Sequence, residues 1–124
     1  MSATLTYLRL YADEAGESHF APLEIPVSLR NFAPPAPPFS VSELISASRY
    51  GFLHLPSNWI GDLHPSPLRM WIIVLSGEME FEATDGECHQ ITSGSAMLLE
   101  DTDGKGHRSR VTGDREVVLA VIHV

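Results

Sequence analysis

Two patterns of apolar and polar positions divide this chain, and the clearer one lies in its second half. EMEFEA (78–83) alternates strictly, with Met79, Phe81 and Ala83 on one face and Glu78, Glu80 and Glu82 on the other. A period of two is the signature of a half-buried strand. WIIVL (71–75) before it is a continuous apolar run rich in β-branched residues, closed by the turn Ser76-Gly77. Asp85-Gly86 is a strong hairpin turn, after which ECHQI (87–91) pairs back and TSGS (92–95) turns into AMLLE (96–100). HRSRVT (107–112), the turn Gly113-Asp114 and EVVLAVIHV (116–124) complete the series. Short strands spaced about ten residues apart with turn chemistry between them predict an all-β sandwich or barrel. The last strand is apolar at both parities, which predicts burial on both faces, inside the barrel or under a partner subunit.

The first half is punctuated differently. LTYLRLYA (5–12) and HFAPLEIPVSL (19–29) read as strand pieces joined by the turn DEAGES, forming an N-terminal arm. NFAPPAPPFS (31–40) carries four of the nine prolines within five positions. Proline fixes φ and lacks an N–H, so this segment is a stiff extended strap and neither a helix nor a central strand. VSELISASRY (41–50) predicts the one helix, with Ser40 or Ser42 as cap and Leu44, Ile45 and Ala47 as a short apolar face. The expected organisation is an arm, strap and short helix over 1–49, then a barrel over 50–124.

Composition narrows the function. A chain of 124 residues that is 44% hydrophobic suits one domain with a real core. Eight basic against sixteen acidic residues give a net charge of −8, which argues against nucleic acid as a partner. No apolar run approaches the roughly 20 residues needed to cross a bilayer, so no membrane partner is expected. MSATLTYLRLYADE lacks the basic flank and apolar block of a signal peptide. The sole cysteine, Cys88, excludes an internal disulfide, and a reducing cytoplasm is the expected location.

The chain from Asn58 to Val124 resembles a small single-domain cupin of the RmlC-like jelly-roll type. The first cupin motif reads G, five residues, H-x-H, three or four residues, E, six residues, G. Counting back from Gly77 puts Met70 at the glutamate, Ser66 at the second histidine and His64 at the first. The second motif reads G, five residues, P-x-G, two residues, H. From Gly94 it ends at His107, with two extra residues in the loop LLEDTDGKGHRSR (98–110). The resemblance implies a cupin-type double-stranded β-helix with an N-terminal arm. It also implies a mononuclear iron, nickel, zinc or manganese site, which ordinarily takes three histidines and a carboxylate. Here only His64 and His107 match, so the first metal motif is degenerate.

Two chemistries follow for that pair. A divalent metal would need Glu100, Asp101 or Asp103 to complete a set of two histidines and one carboxylate. Without metal, His64 or His107 can serve as general base or acid on a small polar molecule bound in the barrel. Ser66, Met70, Trp71, Asp101 and Lys105 are the expected ligand-binding neighbours. Lys105 or Arg69 could take an acid group, although strand alternation aims Arg69 away from the face of Met70. Trp59 and Trp71 are core or interface residues unless a ring stacks on them. Asp103 and Gly104 suit turn geometry, and DTDG lacks the spacing of an EF-hand loop. His19, His54, His89 and His123 have no partners at ligand spacing, and Cys88 beside acidic neighbours is a poor nucleophile. The alternative is a non-catalytic cupin, a ligand-sensing or structural protein. A homodimer is expected in either case, because the apolar arm and the open sheet edges need cover.

Overall fold

The computed structural model describes residues 2–124. Eleven strands run in chain order: β1 (Ser2–Ala12), β2 (Ser18–Arg30), β3 (Phe39–Ser42), β4 (Arg49–Leu55), β5 (Ile60–His64), β6 (Met70–Ser76), β7 (Glu78–Ala83), β8 (Cys88–Thr92), β9 (Ala96–Leu99), β10 (His107–Thr112) and β11 (Val117–His123). They form a seven-stranded sheet, ordered β3-β2-β1-β9-β6-β11-β4, and a four-stranded sheet, ordered β5-β10-β7-β8. Every pairing is antiparallel except β1 with β9, which is parallel.

The period-two reading locates the core between the sheets. Met79, Phe81 and Ala83 of β7 are buried, while the three glutamates stand on the outer face. Leu10, Val74, Met97 and Val117 are fully enclosed. β6 and β11 are apolar at both parities but only one parity is buried: Ile72 and Val74 in β6, and Val117, Leu119 and Val121 in β11. Their other faces are half-exposed, so burial of the last strand on both faces is not met within one chain.

The arm is part of the larger sheet. β1 lies between β2 and β9 and gives Leu10 to the core. Pro22 and Pro26 stand in β2 where β1 is its only neighbour, since β3 pairs with no residue before Val27. A missing N–H does no harm on such an open side.

The helix expected over 41–50 is absent; no helix occurs among the described residues. Val41 and Ser42 finish β3, residues 43–48 are irregular and β4 begins at Arg49. Ser42 Oγ donates to the carbonyl of Glu43 at 3.0 Å instead of accepting from a helix N–H. A helix this short needs a surface to dock its apolar face, yet Leu44 and Ile45 are 73% and 75% exposed.

Candidate functional site

His107 opens β10, which runs between β5 and β7. The antiparallel register sets His107 opposite His64 at the end of β5 and opposite Ala83 at the end of β7. Residues directly opposite each other share a face. The two imidazoles are therefore neighbours, with ring centroids 5.0 Å apart and planes inclined by 50°. Phe81 flanks His107 at 5.5 Å.

Behind His107 stands Asp101. Its Oδ2 accepts from His107 Nδ1 at 2.6 Å, and both side chains are almost wholly enclosed. With Nδ1 donating, neutral His107 keeps its lone pair on Nε2. His64 reaches the same tautomer by another route, because its Nδ1 donates at 2.6 Å to the carbonyl of Asp62, which can only accept. Three enclosed polar side-chain atoms lack a hydrogen-bond partner among the described residues: Asp101 Oδ1, His123 Nδ1 and Arg9 Nε, the last lying 3.4 Å from Glu100 Oε1. His107 Nε2 also makes no hydrogen bond among the described residues but is not enclosed, so it keeps contact with solvent.

The loop that carries this pair is held by close backbone contacts. Gly106 has φ of +83°, and a β-carbon there would lie 2.0 Å from the carbonyl carbon and oxygen of His64. Only glycine lets the loop lie so close against β5. The carbonyl of Gly106 accepts from Ser18 Oγ at 2.7 Å, and Ser18 exchanges further bonds with Thr84. Gly16 and Gly104 touch backbone to backbone, and Lys105 N donates to the carbonyl of Gly16 at 2.9 Å. The loaded sequence at 98–110 is thus the turn that packs the β1–β2 connection against the β5 end and delivers His107.

The other sequence candidates divide. Ser66 is buried, but its Oγ donates to the carbonyl of Leu68 at 2.8 Å and its N–H to that of Asp101 at 2.9 Å, so it shapes the loop. Met70 faces the core at 8% exposure. Trp71, one residue on, lies on the opposite face and meets Tyr7 edge-on at 5.7 Å, so alternation removes it from the histidine pair. Lys105 pairs with Glu17 at the surface. Arg69 pairs with Glu100 at 2.9 Å, which withdraws both from the site.

The donor set does not fit a resident divalent metal. Among the described residues no three of His, Cys, Asp or Glu converge as a metal would need. Asp101 is on the far side of His107 as a support for Nδ1, where it cannot share an ion with Nε2. A single barrel-lined guest is also ill suited, because the space between the sheets is filled by apolar side chains. Neither His64 nor His107 lines the surface hollow beside Trp71 or the one beside Gly113.

Sequence reasoning missed Ser18 and the role of His19. Ser18 is fully buried at the head of β2. His19 bridges two turns, with Nε2 2.6 Å from Asp13 and Nδ1 2.9 Å from Asp85. These bonds, the one to Asp13 foremost, hold its pKa above the ordinary imidazole value. No local periodicity signals either role, since both partners are distant in sequence or lie in turns. Cys88 has its thiol pKa pushed up, first by partial desolvation and then by Glu82 and Glu80.

The fold is shared with known cupin domains. The Cnp3 cupin domain of Schizosaccharomyces pombe matches with a TM-score of 0.52 at 13% identity, over 86% of this chain and 77% of that one. A cupin domain from Bordetella pertussis Tohama I gives 0.47 at 19%, over 64% and 84%. The cupin domain of an XRE family transcriptional regulator from Enterobacter cloacae gives 0.46 at 19%, over 60% and 79%. No protein-family model matches the chain, and no curated protein matches it. The likeness is one of architecture, which hosts many chemistries.

Proposed function

We propose that this small cupin binds a small polar molecule at the end of its barrel, where His107, backed by Asp101, and His64 act as proton acceptors without a resident metal. One observation carries the reading: an aspartate and a histidine paired at 2.6 Å and almost entirely enclosed, directly beneath a second imidazole. Enclosing two ionisable groups is costly unless each is well partnered, and here Asp101 Oδ1 is left without a hydrogen-bond partner among the described residues. Such pairs concentrate where proton transfer is needed. The unbonded Nε2 atoms favour a ligand that brings hydrogen-bond donors, such as a hydroxylated or amino compound. Arg69 and Lys105 are engaged by Glu100 and Glu17, so an acid group finds no free cation from them. A proton shuttled through Nε2 of His107 would suit an isomerisation or a lyase-type elimination. The single cysteine suits a reducing compartment such as the cytoplasm. Among the described residues no helix is long and apolar enough to cross a membrane.

A non-catalytic cupin is the second reading, favoured by the filled interior. One screen separates the two. Sugar derivatives, amines and keto acids are tested for thermal shift and turnover with wild type, His64→Ala, His107→Ala and the double variant. The proposal expects a compound that stabilises wild type, is turned over, and loses both effects in His107→Ala. Effects that persist in the double variant would remove the pair from function. Binding that depends on His107 without turnover would leave the sensing role. Iron, nickel, zinc or manganese raising the melting temperature of wild type but not of the double variant would overturn the metal-free site.

A further inference from the structure

The turn between β1 and β2 is tied to two other turns at once. Ser18 and Thr84 bond reciprocally: Ser18 N donates to Thr84 Oγ1 at 2.7 Å, and Thr84 N donates to Ser18 Oγ at 2.8 Å. Ser18 Oγ in turn donates at 2.7 Å to the carbonyl of Gly106, the residue before His107. The carbonyl of Gly16 accepts from Lys105 N at 2.9 Å, and Glu17 pairs with the Lys105 side chain. Beside this knot, His19 joins Asp13 of its own hairpin to Asp85, the residue after Thr84. Residues 18 and 19 therefore grip residues 84 and 85 side by side, and the same short segment supports the loop that delivers His107.

The two grips differ in what they need. The bonds of Ser18 and Thr84 involve no titrating group. His19 instead has Nε2 2.6 Å from Asp13 Oδ2 and Nδ1 2.9 Å from Asp85 Oδ2. A carboxylate only accepts, and a neutral imidazole has one N–H, so both contacts are hydrogen bonds only when His19 is a cation. On losing a proton, one nitrogen turns its lone pair toward a carboxylate, and that contact must part. Asp13 is fixed locally, since its Oδ1 accepts from Ala15 N at 2.9 Å and from Glu17 N at 3.0 Å. Its contact with His19 is also the shorter one. The remaining proton therefore stays toward Asp13, and the tie across to Asp85 is the one released. The other charged neighbours on the packed elements are already matched or face water. Tyr11 of β1 lies 5.6 Å from the imidazole with Arg9 over its ring. Glu17 is paired with Lys105 and Glu87 with His89, while Glu14 stands exposed in the turn. The bond to Asp13 and then that to Asp85 hold the pKa of His19 above the ordinary imidazole value, which places the release on the alkaline side of it.

We infer that His19 is a positioning residue that acts as a proton-operated latch on the loop before β10, holding His107 beside His64 while it is a cation and loosening that loop when it is neutral. The inference rests on the proposed site and adds its regulation. It asks opposite protonation states of two histidines: a bare Nε2 on His107 and a proton on both nitrogens of His19. Binding at the pair is strongest where both hold. It declines on the alkaline side as the latch opens, where an unlatched His107 would only gain as an acceptor.

NMR on the whole chain tests this without any ligand. The imidazole resonances of His19 give its titration, and exchange of the Lys105 amide, bonded to Gly16, reports opening of the loop. In wild type the protection of that amide is expected to fall several-fold as pH rises through the His19 titration. The ring resonances of His107 should shift with the same midpoint in addition to their own. The His19 bonds are partly exposed, which limits the change to that scale. Asp85→Asn separates the latch from plain packing. A carboxamide can accept from an N–H or donate to a lone pair, so the tie holds in both states and the fall should vanish with protection kept. His19→Leu, which has no tie at any pH, should show the low alkaline protection throughout and serves if the first variant fails to fold. Protection that is flat through the His19 titration overturns the inference, as does a fall of equal size in either variant. The site and the latch fail separately. A latch seen in wild type while no compound binds at His107 upholds the latch and removes the site. Binding that needs His107 yet keeps its strength across the His19 titration removes the latch and keeps the site.

Discussion

Replacing Gly106 by alanine probes whether the loop before β10 positions His107. Two costs can be worked out separately. The first is conformational: φ is +83° at Gly106, and a residue with a β-carbon pays about 1–2 kcal/mol there. The second is contact. The new carbon would lie 2.0 Å from two His64 backbone atoms and 2.2 Å from the nitrogen of Pro65, far inside the roughly 3.5–4.0 Å of ordinary carbon contacts. Backbone on both sides leaves no flexible tip to yield, so the loop must move away from β5. That movement loosens the bond from Ser18 Oγ to the Gly106 carbonyl, worth about 1 kcal/mol and more if the enclosed hydroxyl stays unpaired. The total is about 2–5 kcal/mol. For a chain of this length one kcal/mol moves the melting temperature by about 4 °C, so a fall of about 8–20 °C is expected. Gly86→Ala is the control: φ is +94° and nothing lies within 4 Å of its would-be β-carbon, so only the conformational cost applies, about 4–8 °C. Calorimetry gives the two shifts, and the imidazole resonances of His64 and His107 report whether the pair separates. A fall for Gly106→Ala no larger than for Gly86→Ala would refute the claim that this contact builds the site.

Two further outcomes are expected. Asp101→Asn replaces the acceptor of His107 Nδ1 with a group that can donate to it, so the tautomer should reverse and place the proton on Nε2. The lost charge-assisted bond should cost about 2 kcal/mol, and nitrogen NMR of the imidazole together with the melting temperature checks both. The His19 clamp should be pH-dependent. Its pKa is raised above 6.5, so its contribution is complete below 6.5 and fades as pH rises through the raised value. Asp13 and Asp85 are lowered below 3.8, the first mainly by its bond to His19 and the second by the Glu87 N–H and then His19. Their contributions are complete above 3.8 and fade as pH falls through the lowered values. The difference in melting temperature between wild type and His19→Gln should therefore be greatest between about pH 4 and 6.5; a difference that is flat from about pH 5 to 9 would count against the clamp.

What the sequence made legible follows from how local each signal is. Alternation in EMEFEA and the Asp85-Gly86 turn are self-contained, so β7 falls on the expected residues and the parities buried are the ones expected. The face of Trp71 was implicit in the same alternation, because Met70 beside it looks inward. The segment 41–50 misled because its few apolar residues match a helical face, while only the tertiary structure reveals that no surface receives them. In the site, the nearness of His64 and His107 depends on the β5–β10 register, which spacing alone does not specify. Asp101 sits in a loop whose path is set by Gly104 and Gly106 against distant backbone, so its place behind the imidazole could not be read from its neighbours. Ser18 draws its partners, Thr84 and Gly106, from far along the chain, and His19 joins the nearby Asp13 to the remote Asp85.

The one parallel seam has a consequence for how the molecule is made. β1 leaves the ribosome well before its second neighbour, β9, whose Met97 pairs with Leu8 from 89 residues further along the chain. The β1–β2 hairpin can zip at once, but it then waits with an uncovered edge until Met97 and Leu99 emerge beside Leu8 and Leu10. Closure between such remote segments carries a large loop entropy and is slow. During that delay the waiting edge can recruit the β9 of another nascent chain, so exchange of the leading hairpin between molecules is the characteristic error to look for when expression is fast.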